Sequence, residues 1–353
     1  MTSNSAPLIA VSGLTMQFKR ARSTADRLAR RPQQIVHALN GVSFDVRRGE
    51  TLGIVGESGC GKSTLARCLV RLHKPTAGKI DYAGADILAL EGAARRAYHR
   101  RVQMVFQDPY SSLNPRMTVR QTLAEAIRFH GLREGAGIDA RIAELLDLVR
   151  LPSDAGERYP HEFSGGQRQR IGIARALAVE PECLIADELV SALDVSVQAQ
   201  IINLLLELQE RLGLTVLFIA HDLRLVRHIS HRTAVMYLGA IVELADTESL
   251  FTKPAHPYTA ALLKAAPELD PGKRSTVDAV RGELPSPINI PAGCPFHPRC
   301  AYAIDRCRSE PPLLLPQSEQ HLAACHLAGR FAPADSVPDI TPPVGDLKRA
   351  QKH

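Results

Sequence analysis

Apolar positions alternate with polar ones near the start of the chain and later recur in short, unbroken runs. The alternating and β-branched stretches and the short apolar runs predict strands at 8–18, 42–46, 51–55, 78–82, 102–106, 183–186 and 215–220. Apolar residues at helical spacing predict helices at 62–72, 166–179 and 195–212, and a helical segment from 118 to about 150. The order of these elements predicts an α/β fold, with a mainly parallel sheet, crossover helices and an inserted helical subdomain.

The regular pattern ends near residue 250, and prolines become frequent beyond it. A chain of 353 residues exceeds the length of about 100–200 residues that is usual for one domain. We therefore expect a main domain at 1–250, whose helical subdomain covers about 110–165. A small irregular extension at 251–331 and a disordered, proline-rich tail at 332–353 are expected to follow.

Composition and charge change this picture little. Hydrophobic residues make up 45% of the chain and charged residues 23%, as in ordinary globular proteins. No apolar run approaches the length of about 20 residues that a bilayer requires, and the first residues do not resemble a signal peptide. The net charge of +6 comes largely from residues 19–31, which we interpret as a solvated basic loop, with weak attraction to anionic lipid as the alternative.

The turn after the predicted strand 51–55 has the pattern of a phosphate-binding loop: glycine, four residues, then Gly-Lys-Ser. Glycines let backbone N–H groups surround a phosphate, and the following helix adds its dipole. We expect Lys62 to reach the β- and γ-phosphates of a nucleotide, and the Ser63 hydroxyl to bind Mg²⁺. The candidate nucleotide-binding residues of this loop are Gly56, Glu57, Ser58, Gly59, Cys60, Gly61, Lys62, Ser63 and Thr64.

A second candidate group is the pair of carboxylates at the end of the apolar strand 183–186. Asp187 would coordinate Mg²⁺ through water, and Glu188 would orient or deprotonate an attacking water molecule. Such a strand end is common by itself, and it becomes informative because it follows a phosphate loop in the sequence.

Between these two motifs lies a turn composed of Ser164, Gly165, Gly166 and Gln167. Ser164 opens the following predicted helix, so its hydroxyl and the free N–H groups form a candidate anion site. An ordinary helix cap would explain the serine but not the paired glycines. With these three motifs in this order, residues 8 to about 250 resemble the ATP-binding subunit of an ABC transporter. In that family this turn of one subunit meets the γ-phosphate that the phosphate loop of another subunit holds.

The resemblance implies roles for further residues and a P-loop NTPase fold of the RecA type with an antiparallel β subdomain. Gln107 matches the glutamine that senses Mg²⁺ and water and contacts the membrane subunits, and His221 matches the histidine at the γ-phosphate. Asp194 ends a loop that couples the two active sites, and Phe18 is a candidate for stacking on adenine, although a core role is an alternative. Leu189 replaces the usual proline, which leaves the geometry after Glu188 open.

The C-terminal extension resembles that of importer ATPases for dipeptides and oligopeptides, through residues 256–263 and 282–287. Nickel and glutathione importers share much of this pattern. The extension also contains four of the seven cysteines, separated by five, six and seventeen intervening residues, and this spacing does not discriminate between zinc, an iron–sulfur cluster and no metal. The resemblance implies a 4Fe-4S cluster, with zinc as the alternative, and its candidate ligands are Cys294, Cys300, Cys307 and Cys325.

These motifs together predict an ATP- and Mg²⁺-dependent ATPase that powers uptake of dipeptides or oligopeptides. Its expected partners are a second ABC ATPase subunit, identical or paralogous, two membrane permeases and an extracytoplasmic binding protein. The expected location is the cytoplasmic face of the plasma membrane. An ABC ATPase acting on ribosomes or DNA is a weaker alternative, because the chain has one phosphate loop and no long coiled coil, and we expect no nucleic acid partner.

Overall fold

A computed structural model describes residues 6–20, 22, 32–108, 113–191, 193–265 and 282–331. Most of the basic segment 19–31 and the whole predicted tail 332–353 lie outside these ranges. The chain divides into two compact units, which we describe separately. Among the described residues, the first unit contains those within 6–45, 52–88 and 221–331, and the second contains those within 46–51 and 89–220. The predicted division at residue 250 remains a prediction.

The first unit contains an antiparallel sheet and a group of strands around the phosphate loop. The antiparallel sheet, which the resemblance implied, has four strands in the order 35–46, 9–19, 77–82 and 85–86. The strands of this unit are β1 (Ile9–Lys19), β2 (Ile35–Val46), β3 (Thr51–Val55), β4 (Ala77–Tyr82), β5 (Ala85–Asp86), β9 (Arg232–Tyr237), β10 (Ala240–Asp246), β11 (Leu315–Ser318) and β12 (His321–Ala323). Its helices are α1 (Lys62–Leu69), α7 (Leu223–Ile229), α8 (Thr247–Thr252), α9 (Pro257–Ala265) and α10 (Arg306–Ser309).

The phosphate loop follows β3, a strand in which all five residues are buried. β3 runs parallel to β9, with Leu52 opposite Arg232 and Val55 opposite Val235. β9 pairs in turn with the antiparallel strand β10. Burial on both faces explains why β3 and residues 234–237 of β9 are mainly apolar, without alternation.

The second unit is built on three parallel strands with helices. β6 (Val102–Val105) pairs with β7 (Cys183–Asp187), which pairs with β8 (Thr215–Ile219). Every residue of β7 and β8 is buried. The helices of this unit are α2 (Gly92–Arg101), α3 (Val119–Phe129), α4 (Ala136–Leu148), α5 (Gly165–Leu177) and α6 (Val195–Leu212). The α/β architecture and the parallel pairing predicted from the sequence are confirmed.

Element boundaries differ most from the sequence expectations at three places, and the other predicted elements differ by no more than two residues at either end. The predicted strand 42–46 begins earlier, at Ile35, and the helix predicted at 62–72 ends at Leu69. The segment predicted as helical from 118 to about 150 consists of two helices, because positive φ angles at Gly131 and Gly135 break the helical path between α3 and α4.

The C-terminal extension is less irregular than its prolines suggested. β11 and β12 form an antiparallel pair, and β12 extends the sheet by pairing with β10. The carboxylate of Glu243 on β10 is fully buried and accepts hydrogen bonds from the backbone N–H groups of Ala255 and His256, at 2.6 and 3.0 Å. His321 on β12 lies 2.7 Å from the same carboxylate. The extension is therefore part of the first unit's fold.

Candidate ATP-binding and catalytic site

Glycines allow the phosphate loop to turn sharply between β3 and α1. Gly56 and Gly61 have φ angles of 153° and 111°, which side chains disfavour. A Cβ atom at Gly56 would lie 2.3 Å from the Met236 carbonyl oxygen, and one at Gly61 would lie 2.5 Å from the Ala38 carbonyl oxygen. Both positions therefore require glycine for local packing as well as for backbone conformation.

Lys62 is held inside this loop. Its side chain is buried, and Nζ donates hydrogen bonds to the carbonyl oxygens of Gly56 and Glu57, at 2.7 and 3.1 Å. Cys60 lies beside it and is also buried, and that burial raises the pKa of its thiol. The ammonium group of Lys62 thus lies within the ring of backbone that the motif predicted as a phosphate cradle.

The side chains of Gln107 and Glu188 are brought together in the second unit. Gln107 Nε2 donates to Glu188 Oε2 at 2.8 Å and to Ser191 Oγ at 3.3 Å. Ser191 Oγ donates to the Glu188 carbonyl oxygen at 3.0 Å. Glu188 has a φ angle of 47°, an unusual conformation for a residue with a side chain, and such strain often accompanies a functional position. The neighbouring Asp187 is 4% exposed at the end of β7.

Gln198, which the sequence analysis did not predict as a functional residue, holds the loop that ends at Asp194 by hydrogen bonds. Gln198 on α6 donates from Nε2 to the carbonyl oxygens of Val190 and Leu193, at 3.0 and 2.9 Å. Leu189, which replaces the expected proline, is 1% exposed and contributes to the core. Asp194 precedes the first residue of α6.

The Ser164 turn begins α5 with reciprocal hydrogen bonds. Ser164 Oγ accepts from the backbone N–H of Gln167 at 3.3 Å, and Gln167 Oε1 accepts from the backbone N–H of Ser164 at 3.0 Å. A Cβ atom at Gly166 would lie 2.4 Å from Val197 Cγ1, and one at Gly165 would lie 3.3 Å from Leu193 Cδ2. Packing against the start of α6 therefore supplies a structural reason for the paired glycines, which an ordinary cap did not explain.

His221 and Phe18 both belong to the first unit. His221 is exposed and precedes Asp222, which caps α7 by accepting a hydrogen bond from the backbone N–H of Arg224 at 2.9 Å. Phe18 is half-buried, and its ring contacts that of His73 edge-on, with centroids 5.3 Å apart. The proposed roles of these two residues at ATP remain predictions.

Glu57, predicted only as a loop residue, contacts the C-terminal extension. Its carboxylate forms a two-point ion pair with Arg299, with Nη1–Oε2 and Nη2–Oε1 distances of 2.6 and 2.8 Å. Its backbone N–H donates to Tyr258 Oη at 3.0 Å. The sequence carries no signal for these contacts, since the partners lie more than 200 residues away along the chain.

The four cysteines of the extension lie in one region, but they do not form a site for a single metal ion. Among the residues that the structure describes, no group of three or more histidine, cysteine, aspartate or glutamate side chains is arranged to hold one. Burial raises the pKa of Cys294 and Cys300, and it raises that of Cys325 to about 11. The charges of the other cysteines contribute to this raised pKa of Cys325, after burial. The predicted metal ligands therefore find no support in the geometry.

Comparison with known proteins identifies the family of the chain. The ABC transporter family profile matches residues 39–191. A probable peptide ABC transporter ATP-binding protein of Sinorhizobium fredii is 53% identical over 86% of each chain. A putative peptide import ATP-binding protein of Brucella ovis is 49% identical over 90% of this chain and 97% of its own. A dimeric ATP-binding cassette, solved in a post-hydrolysis state with ADP and Pi, matches with a TM-score of 0.59 and 28% identity, over 68% of this chain and 98% of its own.

Fold, motif geometry and these similarities define an ATP-binding cassette with a P-loop NTPase fold. The chain belongs to the ABC transporter family and is one of its ATPase subunits. Its residues 242–307 match the C-terminal region of oligopeptide/dipeptide transporters, as the resemblance of the extension predicted. ATP and Mg²⁺ are the ligands that this family membership implies. In the part of the chain that the structure describes, no helix is long and apolar enough to traverse a bilayer.

Proposed function

We propose that this chain hydrolyses ATP to drive the uptake of dipeptides or oligopeptides through two separate membrane permeases. The observation that carries the proposal is the joint match to the cassette and to the oligopeptide/dipeptide transporter C-terminal region in one chain. The peptide transport named for the relatives supports the same substrate class. We place the protein at the cytoplasmic face of the plasma membrane, where a binding protein delivers substrate to the permeases from the other side.

The site residues divide into those that bind ATP and those that assist hydrolysis. Lys62 and the N–H groups of the loop bind the β- and γ-phosphates, while Ser63 and Asp187 hold Mg²⁺. The bound Mg²⁺ supplies positive charge that offsets the charge of the phosphates. Glu188 accepts a proton from the attacking water, and Gln107 orients that carboxylate by the hydrogen bond described above. His221 contacts the γ-phosphate.

A second ATPase subunit completes each site in this proposal. Ser164 and the N–H groups at the start of α5 lie at the N-terminus of a 13-residue helix, where a phosphate is favoured by hydrogen bonding and by the helix dipole. Ser164 is exposed, so this helix end is accessible to the nucleotide of another subunit. The dimeric state of the similar cassette supports the same arrangement.

The permease is proposed to dock beside α3 in the second unit. Phe129, at the end of α3, is 74% exposed, an unusual state for a large aromatic side chain. A surface groove next to it is lined by Arg116, Met117, Gln121, Glu125, Arg128 and Phe129. An apolar centre with a charged rim is typical of a protein interface, and Gln107, in the same unit, is expected to sense docking.

Proteoliposomes that contain this chain, its two permeases and the binding protein are expected to accumulate a labelled peptide when ATP is supplied. Phe129→Asp should weaken docking by about 2 kcal/mol, or roughly thirtyfold in affinity, because it removes an aromatic anchor. Uptake should fall, while the ATPase rate of the isolated subunit stays unchanged. The matched control is Leu212→Asp, at an exposed apolar position on α6. Uptake of nickel or glutathione instead of peptide would favour the alternative importers, and equal uptake by both variants would exclude the groove.

We also propose a 4Fe-4S cluster, rather than a zinc ion, at the four cysteines of the extension. Zinc requires its thiolates to surround one ion at about 2.3 Å, whereas a cluster of several irons holds its cysteines farther apart. The resemblance of the extension to that of peptide importers supports the cluster, and the other three cysteines lie close enough to Cys325 for their charges to raise its pKa. Because the pKa values of Cys294, Cys300 and Cys325 are raised, binding must displace protons from these thiols.

Anaerobic purification should then yield a brown protein with broad visible absorption and about four irons per chain. Cys300→Ser is expected to lose the iron, because a hydroxyl is a poor ligand for it. Cys68→Ala, which removes a buried thiol from α1, should retain the iron. A colourless protein with zinc or without metal would contradict the cluster, as would full iron content in the Cys300 variant.

A further inference from the structure

Two side chains of the C-terminal extension contact the first part of the phosphate loop. Arg299 binds the Glu57 carboxylate through both of its terminal nitrogens, and Tyr258 Oη accepts the hydrogen bond of the Glu57 N–H. All three residues belong to the first unit. Arg299 Nη2 also donates to the Gly282 carbonyl oxygen at 3.0 Å, which ties a further segment of the extension to the same point.

The ion pair between Arg299 and Glu57 is largely shielded from water, mainly by burial of the arginine. The Arg299 side chain is 5% exposed and that of Glu57 is 27% exposed. Two parallel N–H···O bonds between guanidinium and carboxylate restrict both position and orientation, unlike a contact made by lysine. The Glu57 carboxylate raises the pKa of Arg299, so the arginine stays charged at every pH at which the protein is folded. This pair is therefore a rigid connection, in contrast to a surface salt bridge.

Tyr258 belongs to a cluster of aromatic side chains, and Arg299 lies next to that cluster. Tyr237, Tyr258 and Phe296 contact one another edge-on or tilted, with ring centroids 4.7 to 5.3 Å apart. Tyr237 and Tyr258 are fully buried, and the Arg299 guanidinium lies 5.8 Å from the Tyr237 ring. Buried aromatic rings hold their polar ends in fixed positions. The hydroxyl of Tyr258 is thus fixed toward the loop by packing within the extension and β9.

Glu57 immediately follows Gly56, where the chain leaves β3, and the Glu57 carbonyl oxygen accepts a hydrogen bond from Lys62 Nζ. A displacement of Glu57 is therefore transmitted to the lysine ammonium group. The extension engages the N–H and the carboxylate of Glu57, while the carbonyl oxygen of the same residue accepts the hydrogen bond from Lys62 within the loop. A loop held in its binding conformation loses less entropy when the ligand binds.

We propose that Arg299 and Tyr258 are positioning residues for ATP: the C-terminal extension holds the phosphate loop in its binding conformation through Glu57. The proposal rests on the proposed role of residues 56–64 in binding the phosphates. In this proposal the extension, which matches the C-terminal region of oligopeptide/dipeptide transporters, also contributes to ATP binding. Neither Arg299 nor Tyr258 needs to touch the nucleotide for this role.

The test compares ATP affinity and steady-state kinetics of single and double variants in the full-length chain. Arg299→Ala and Glu57→Gln should each raise the Kd and KM for ATP by about tenfold, with a much smaller change in kcat. Arg299→Lys keeps the positive charge but loses the two-point geometry, so its affinity for ATP should lie between those of the wild type and Arg299→Ala. The double variant should be no worse than either single variant, because both remove the same interaction.

Arg232→Ala is the matched control. Arg232 is also an arginine with a mostly buried side chain, paired with Asp45 at 3.2 Å, but it lies at the beginning of β9, opposite Leu52 at the far end of β3 from the loop. It should lower the melting temperature as Arg299→Ala does, yet leave the KM for ATP unchanged. A KM that is unchanged in both Arg299→Ala and Glu57→Gln would overturn the proposal, and so would additive effects in the double variant.

Lys62→Ala separates this inference from the proposed function. It should abolish binding of ATP, whichever way the Arg299 variants behave. If Lys62→Ala binds ATP normally, the assignment of the phosphate loop is wrong. If Lys62→Ala loses binding while the Arg299 and Glu57 variants keep wild-type affinity, the loop assignment holds and only the positioning role is refuted.

Discussion

Replacing Glu188 by glutamine is expected to reduce ATP turnover by roughly 10²–10⁴-fold, the usual contribution of a general base. Glutamine has almost the shape of glutamate, and its amide oxygen can still accept the hydrogen bond from Gln107 Nε2. The substitution therefore removes the proton acceptor while preserving the local geometry. ATP binding should persist, and two subunits should remain closed on unhydrolysed nucleotide.

Steady-state phosphate release measures the loss of turnover, and size-exclusion chromatography with and without ATP measures the trapped dimer. Glu180→Gln is a suitable control, because Glu180 also has a positive φ angle, of 55°, and belongs to the same unit. Its carboxylate pairs with Arg100 and Arg133 on the surface, so we expect little effect on turnover. Full turnover by the Glu188 variant would refute its assignment as the base.

The second large effect is expected from Ser164→Asp. Aspartate is as good a helix cap as serine, so α5 should still begin at Gly165. Its negative charge would repel the γ-phosphate that the opposite subunit holds. We therefore expect turnover to fall by roughly 10²-fold, which is the usual effect of losing one hydrogen-bond donor to the transition state. Thr118→Asp is the control, because Thr118 caps α3 with the same reciprocal hydrogen bonds.

A mixing experiment tests whether the site is shared between subunits. In a homodimer, Lys62→Ala and Ser164→Asp are each inactive alone, but a mixed dimer retains one site with both native residues. Equal mixing should restore about a quarter of the wild-type rate, since half of the dimers are mixed and each has one intact site of two. A mixture as inactive as its components would contradict the shared site, or the pairing of this chain with itself.

Several local features were predictable because their physical causes lie within a few residues of sequence. The glycine pattern at 56–64 indicated a phosphate-binding turn, and the structure gives Gly56 and Gly61 positive φ angles there. Ser164 indicated a helix start, and α5 begins at the next residue. Unbroken apolar runs predicted β7 and β8, since a strand buried on both faces needs no polar side. From these features the class of enzyme and its candidate catalytic residues could be inferred.

Other features depend on contacts between distant parts of the chain, which no local pattern encodes. The sequence alone indicated the phosphate loop, the acidic strand end and the start of α5 at Ser164, because each is a pattern of residue types within a short segment. Only the tertiary structure decided that Gln107 binds Glu188, that β12 pairs with β10, and that Arg299 binds Glu57. These pairings depend on how the sheet and the extension pack, and packing selects partners by shape and burial rather than by their separation along the chain.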